Sequence, residues 1–392
     1  MTPSPAARIE SLDRMTAGRI SMDVAILQVD QWDSRACRSI HIWTRHDEDA
    51  RMISTTERAE SVNRKNQGLS SAIGAGYRVV SQKIRYWLPS AVDRRIRVVA
   101  WLSLVTEILI VGTGGAVRLT GSGLGCPTWP TCVAGSLVPT PEMGLHGVIE
   151  FGNRLMTGLI GIIAIAAVVL LWRLRTERKD LFTLAVILGV GVLAQALVGG
   201  VTVLTGLNPF IVGFHFMASL IMVCIATVLV HRVYLPSGPR ALVVPVGFAG
   251  LAHATSFVVA LTVVMGVVTT ASGPHSGDAE AGRTGFNAEL LEHLHAWPGY
   301  ATLVLTIVLL AASVRGKLPV RKLVVTLLVV ELVQIVVGLL QANLGLPPVL
   351  VGLHMVLACV LAAAMTAVVL NLKAPTTLTD RVPETTHEHA RS

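Results

Sequence analysis

Between residues 98 and 372 the chain carries apolar stretches of roughly twenty residues each, at 98–117, 147–172, 181–204, 212–234, 247–269, 291–314, 320–341 and 349–372. At 1.5 Å of rise per residue, a helix of about twenty residues crosses a hydrocarbon core of about 30 Å. The predicted fold class is therefore an all-α membrane protein of eight transmembrane helices. Composition agrees, with 52% hydrophobic and only 14% charged residues, against about 25% charged in soluble domains. The net charge of +8 does not point to nucleic acid, because Lys and Arg sit in short clusters between apolar runs and not on one basic face. Lipid headgroups are the partner that pattern fits.

Residues 1–90 are polar, rich in Arg and Ser and without sustained periodicity, so they are expected to be a disordered extension. They lack the apolar segment of a signal peptide, and a start codon assigned too far upstream would account for them. Residues 373–392 are expected to be a disordered tail. Basic residues in the short loops set the orientation. Arg94, Arg95 and Arg97 precede helix 1; Arg173, Arg175, Arg178 and Lys179 follow helix 2; Arg232 and Arg240 follow helix 4; Arg315, Lys317, Arg321 and Lys322 follow helix 6. All lie on one side, which places both termini in the cytoplasm and the chain in the cell membrane.

An internal repeat divides the membrane region. Gln195-Ala-Leu-Val-Gly199, Gly206-Leu-Asn-Pro209 and Val212-Gly-Phe-His215 recur as Gln334-Ile-Val-Val-Gly338, Gly345-Leu-Pro-Pro348 and Val351-Gly-Leu-His354, at a constant offset of 139. Glu150-Phe-Gly-Asn153 matches Glu292-His-Leu-His295 at an offset of 142. Residues 95–235 and 245–372 are thus expected to be two four-helix halves, parallel because each has an even number of spans.

Each half offers a polar residue near the outer end of its second helix and a histidine near the outer end of its fourth: Asn153 with His215, and His295 with His354. Facing positions in a helix bundle are where cofactor sites are built, and neutral imidazole is a good axial ligand for haem iron. A lone intramembrane histidine often only hydrogen-bonds a neighbouring helix; repetition in identical sequence context favours haem. His293, two positions from His295, is placed on another helix face, and His146, His231, His253 and His275 read as structural. Glu150 lies three residues before Asn153 and shares its face. An intramembrane carboxylate is costly, so its default reading is functional; Glu107 and Glu331 are further carboxylates of this kind, without repeat partners. Cys126-Pro-Thr-Trp-Pro-Thr-Cys132 falls in an outward loop where a disulfide is permitted, structural or exchanging, with metal binding a weaker alternative. Cys224 and Cys359 fall inside helices as packing residues.

Taken together, Arg118-Leu-Thr-Gly-Ser-Gly-Leu-Gly-Cys126 with its paired Cys132, Ile149-Glu-Phe-Gly-Asn-Arg154, Gly213-Phe-His215 and Gly352-Leu-His354 resemble the haem A synthase family over about residues 95–372. The resemblance implies an oxidoreductase that converts a methyl substituent of haem O to a formyl group, giving haem A for cytochrome oxidase. It implies that the N-terminal half holds substrate haem O through His215 and that the C-terminal half holds a haem b cofactor through His295 and His354. Glu150 matches the catalytic glutamate. Haem O synthase and the cytochrome oxidase assembly apparatus are the implied partners. One position departs from the pattern: Asn153 stands where the family has a second substrate-side histidine, and a carboxamide is a poor ligand for haem iron. An open iron position suits oxygen chemistry. The competing readings are a non-enzymatic diheme electron-transfer cytochrome and, more weakly, a haem carrier.

Overall fold

The computed structural model describes residues 58, 60–68, 70–71 and 88–376. The chain divides into two compact units, Met1–Val80 and Ser81–Ser392. In the first, the described residues are helical and exposed, with Arg64 and Glu60 paired one turn apart at 3.5 Å. This helix falls inside the segment expected to be disordered, and a helix that is polar all round leaves no apolar period to detect.

The second unit holds eight helices long and apolar enough to cross a membrane: α1 Arg94–Leu119, α2 Gly144–Leu171, α3 Lys179–Leu204, α4 Pro209–Arg232, α5 Val246–Ser272, α6 Ala288–Arg315, α7 Arg321–Asn343 and α8 Pro348–Leu370. Each coincides with one expected stretch. Several begin earlier than the apolar run, because polar caps lie outside the hydrocarbon. The Asp93 carboxylate accepts from the Ile96 amide at 3.1 Å and opens α1; the Asn287 side chain does the same for Leu290 at 3.0 Å and opens α6. Such caps satisfy amides that the first turn leaves orphaned. Helix α8 stops short of its expected end, since Lys373–Pro375 forms a strand paired antiparallel with Arg240–Leu242 in the α4–α5 connection. Those three residues belong to the segment expected to be a disordered tail; the rest of that segment, from residue 377, lies outside the described residues.

Helices α1 to α4 pack in a closed ring, each on its neighbour and α1 on α4, and α5 to α8 form a second ring in the same order. The rings meet where α1 and α4 contact α8 and where α4 contacts α5. Each has its own dry core at the end that carries the basic loops: Ile96, Ala100, Leu170, Leu181 and Leu229 in one, and Phe248, Leu309, Val324, Leu327 and Met365 in the other. Large apolar side chains such as Ile162, Leu193 and Phe257 are exposed on the outer surface, as a lipid-facing wall requires. At the end opposite the dry cores the rings are hollow, and that end is roofed by loops.

The roof is tied at several points. Cys126 and Cys132 form a disulfide with Cα atoms 4.4 Å apart. The Gly123 amide donates to the Gly277 carbonyl at 2.8 Å, joining the α1–α2 loop to the α5–α6 loop. Leu207, at φ +59°, closes the α3–α4 turn against Gly123 and Gly277. The indole of Trp129 lies flat on α3 at Gly200, where an added Cβ would sit 2.5 Å from the ring. This contact separates two glycines of one helix. Gly200→Ala should push Trp129 off α3 and cost ~1–3 kcal/mol, the range for overpacking. Gly189→Ala meets nothing within 4 Å and removes a helix-weakening residue, so it should not destabilise. Thermal unfolding of the two variants in detergent checks the pair: the midpoint should fall for Gly200→Ala alone.

Candidate functional site

The hollow end encloses one continuous cavity of about 750 Å³ that reaches both helix rings. His215, His295 and His354 border it, as do Asn153, Glu150, Glu107 and Glu331. The histidines and Asn153 picked out by the repeat are therefore brought to a single space. So is His293, which its two-residue offset from His295 had assigned to another face; the cavity near the start of α6 is wide enough to border both. His275 also lies at the cavity wall, where its Nε2 is 2.9 Å from the Leu346 carbonyl and its own carbonyl accepts from Arg118 Nε at 2.7 Å. That is the structural role expected of it.

The two C-terminal histidines face one another. Their ring centroids are 6.1 Å apart and their planes are inclined at 85°. Two imidazoles bound to one metal through bonds of about 2.0 Å have centroids roughly 6 Å apart, so the spacing fits a single iron between them. Nδ1 of His295 lies 2.9 Å from the Thr262 carbonyl. A ring nitrogen that donates to a carbonyl leaves the other as the lone-pair ligand, which is how outer groups orient metal-binding histidines. His354 has a buried Nδ1 without a protein partner among the described residues, as has His215. Buried polar atoms are rarely left unpaired; at a cavity wall they mark where a ligand or water completes the site.

Glycines seat the rings. An added Cβ at Gly266 would lie 2.8 Å from His295 Cε1, and one at Gly338 would lie 3.1 Å from His354 Cε1. The corresponding contact of Gly199 with His215 is 3.5 Å. Gln195 and Gln334 each donate from Nε2 to the backbone carbonyl of the histidine twenty residues on, at 3.0 and 3.1 Å. The same backbone turn follows each: Leu207 and Leu346 both adopt positive φ and donate to the carbonyls of Thr202 and Gln341, at 2.8 Å in both cases. Local geometry thus recurs at the offset of 139 read from the sequence.

On the other side of the cavity the residues differ. The Asn153 carboxamide oxygen lies 2.7 Å from the Thr113 hydroxyl, which holds the side chain against α1. Glu150 is buried, and its carboxylate is engaged through both oxygens. Oε2 accepts from the Cys126 amide at 2.6 Å and Oε1 from Arg154 at 2.6 Å. Arg154 also donates to the carbonyls of Cys126 and Thr128 at 3.0 Å and of Thr131 at 3.1 Å. Glu150 and Arg154, one turn apart on α2, therefore fasten the disulfide loop over the cavity. The carbonyls that Arg154 binds lie more than twenty residues away, and nothing local in the sequence foretells them; its pairing with Glu150, one turn earlier in the same motif, was the legible part.

The cysteine pair, His215, Asn153 and Glu150 all lie within the part of the chain that known sequences match. The family described as cytochrome oxidase assembly protein matches residues 97–147 and 141–273. Haem A synthases of Bacillus cereus (strain AH187) and Bacillus anthracis (strain CDC 684 / NRRL 3495) are each 38% identical to the chain over 129 residues, 32% of this chain and 41% of the relative. The same holds for the haem A synthase of Bacillus thuringiensis subsp. konkukian. The alignment thus spans less than half the length of these relatives. His295 and His354 lie beyond the matched residues, and for them the geometry above stands alone. With its loop cysteines, Glu150, Asn153, Arg154 and His215 inside the matched region, the chain is similar over that part to the cytochrome oxidase assembly protein family and to haem A synthases.

Proposed function

We propose that the chain is a haem A synthase that oxidises the methyl substituent of haem O to a formyl group in the outer half of the cell membrane. The observation that carries this reading is the continuity of one cavity from the facing pair His295 and His354 to Glu150, Asn153 and His215. In it the two four-helix halves are repeats with both termini in the cytoplasm, and the roof faces outward. Haem O synthase supplies the substrate and cytochrome oxidase assembly consumes the product.

His295 and His354 hold a haem b, which when bound supplies one-electron chemistry. Thr262 sets the tautomer of His295, and Gln334 fixes the backbone that carries His354. His215 holds the substrate haem from α4, and Asn153, drawn to Thr113, leaves the opposite face open. Water is kept from that face by the loop that Glu150 and Arg154 fasten. The Glu150 carboxylate lies at the roof of the substrate side, where it stabilises positive charge or moves a proton during oxidation. A diheme electron-transfer cytochrome is the competing reading; it requires two histidines on each iron, and the Asn153 carboxamide does not supply the fourth.

Two sets of variants test these roles. His295→Ala and His354→Ala should each abolish the low-spin haem spectrum and lower the unfolding temperature, since a bound cofactor stabilises the folded state. His215→Ala should leave that spectrum and lose the substrate-side pigment. Retention of low-spin haem b in His295→Ala defeats the ligand assignment.

The second set separates chemistry from anchoring. Glu150→Gln should stop haem A formation, assayed by pigment extraction, while leaving the haem b spectrum intact. Arg154→Gln loosens the loop, costing on the order of 2 kcal/mol for lost charged hydrogen bonds, but keeps the carboxylate. It should retain measurable conversion. Equal loss of conversion in both variants would mean that Glu150 serves only to hold the roof.

A further inference from the structure

At mid-membrane, below the histidine pair, the C-terminal ring contains polar atoms for which the fold provides no partner. Glu331 of α7 is 3% exposed, borders the cavity, and has both carboxylate oxygens buried without a hydrogen bond among the described residues. The Thr306 hydroxyl of α6 lies close enough to act on that carboxyl and is itself buried without a well-formed hydrogen bond among the described residues. Gln334, one turn further out on α7, uses Nε2 on the His354 carbonyl and leaves Oε1 buried and unpaired. A hydroxyl, an amide oxygen and a carboxyl group are thus left open together. Such groups are satisfied in native proteins by ordered water or by a proton.

The N-terminal ring has no such cluster at the matching positions. Val192 stands at the place of Glu331, at the offset of 139, and Ala358 stands at the place of Ser219. In the first ring, Gln195 Nε2 also reaches the Ser219 hydroxyl at 2.6 Å. The open cluster is therefore a property of the half that carries the facing histidines. It lies close to them: Glu331 is three residues from Gln334, about 4.5 Å along the helix, and Gln334 touches the backbone of His354.

We propose that Glu331, with Thr306 and Gln334, forms a water-holding, proton-accepting site that takes up one proton when an electron enters the haem held by His295 and His354. The proposal rests on that ligation. An electron added in a low-dielectric interior leaves a charge that distant solvent compensates poorly, and a carboxylate that becomes a carboxylic acid nearby restores neutrality. The electron comes from an external one-electron reductant, reducing Fe(III) to Fe(II). The proton comes from water, and the carboxylate oxygen of Glu331 gains the O–H bond.

Other titratable groups around the site are accounted for. Helix α7 packs on α6 and α8. From α6, Glu292, His293, His295 and Tyr300 border the cavity, Glu292 and His293 nearly four turns outward of Thr306; from α8, His354 borders it and Cys359 is buried. Across the cavity, Glu107 of α1 is the other mid-membrane carboxylate.

The test uses the purified full chain with its haem, after a spectrum has established low-spin ligation. The midpoint potential is measured on both sides of neutrality in the wild type, Glu331→Gln and Glu107→Gln. In the wild type and in Glu107→Gln it should fall by about 59 mV for each tenfold drop in proton concentration, the one-proton, one-electron slope. In Glu331→Gln it should be flat. A redox-difference infrared spectrum of the wild type provides a measurement that needs no variant: reduction should produce a carboxylic-acid carbonyl band that shifts in D2O. Low-spin haem whose potential ignores pH, a slope that survives in Glu331→Gln, or absence of the carbonyl band each overturns the proton site and leaves the ligation standing. A protein without low-spin haem overturns the ligation, and the proton site with it.

Discussion

A polypeptide in hydrocarbon satisfies its backbone polar groups within each helix, so whatever else is polar must face inward or fail. That constraint organises this molecule. Its helices are apolar outside, dry-packed at the end with basic loops, and hollow at the other. Five histidines, four carboxylates and the roof loops border the cavity of the hollow end. The cavity is not an accident of loose packing, for glycines at 266 and 338 are what let the imidazoles of His295 and His354 lie against neighbouring helices. A methyl group at Gly266 would occupy the space of the His295 ring.

The roof depends on a second constraint. A loop over a cavity has no hydrophobic layer beneath it and must be held by polar contacts from the wall. The Glu150 and Arg154 pair supplies them: one carboxylate and one guanidinium of the same helix face bind each other and four polar groups of the loop, among them the Cys126 amide and carbonyl. The disulfide shortens the loop so that these contacts hold all of it. Trp129 then covers α3 at Gly200. In consequence the carboxylate matched by family resemblance to catalysis is also the fastening of the loop, and any chemistry it performs occurs at a place the loop shields from water.

The eight helices were legible because twenty apolar residues leave no alternative in a membrane, and the histidines were legible because a repeat placed them twice in the same words. The repeat even carried its own supporting atoms, since Gln195 and Gln334 open the matched segments and make the same bond to the matched histidines. What could not be read was long-range. Thr262 holding His295, Thr113 holding Asn153, and Gly266 seating a ring lie on helices that show no match to one another in the aligned segments. Helix ends were misjudged where Asp93 and Asn287 extend the helix into polar sequence, because the apolar period reports the bilayer and the caps report the helix. His293 lies on another face of α6 from His295 and still borders the cavity, because a wide cavity meets more than one face of that helix.

The differences between the rings are as informative as their likeness. Ligation by two histidines saturates an iron and favours transfer of electrons without bond-making at the metal, whereas one histidine opposite a carboxamide leaves a position for a reactant. In the proposed ligation, Asn153 and His295 are the matched pair that sets this contrast. The remaining substitutions follow its direction. Ser219 gives Gln195 Nε2 a second acceptor beside the His215 carbonyl, where the second ring has Ala358; Glu331 and Gln334 leave the second ring with unpaired polar atoms below its histidines. The two rings thus differ in a few side chains around the cavity, while the turns that precede His215 and His354 share one backbone geometry.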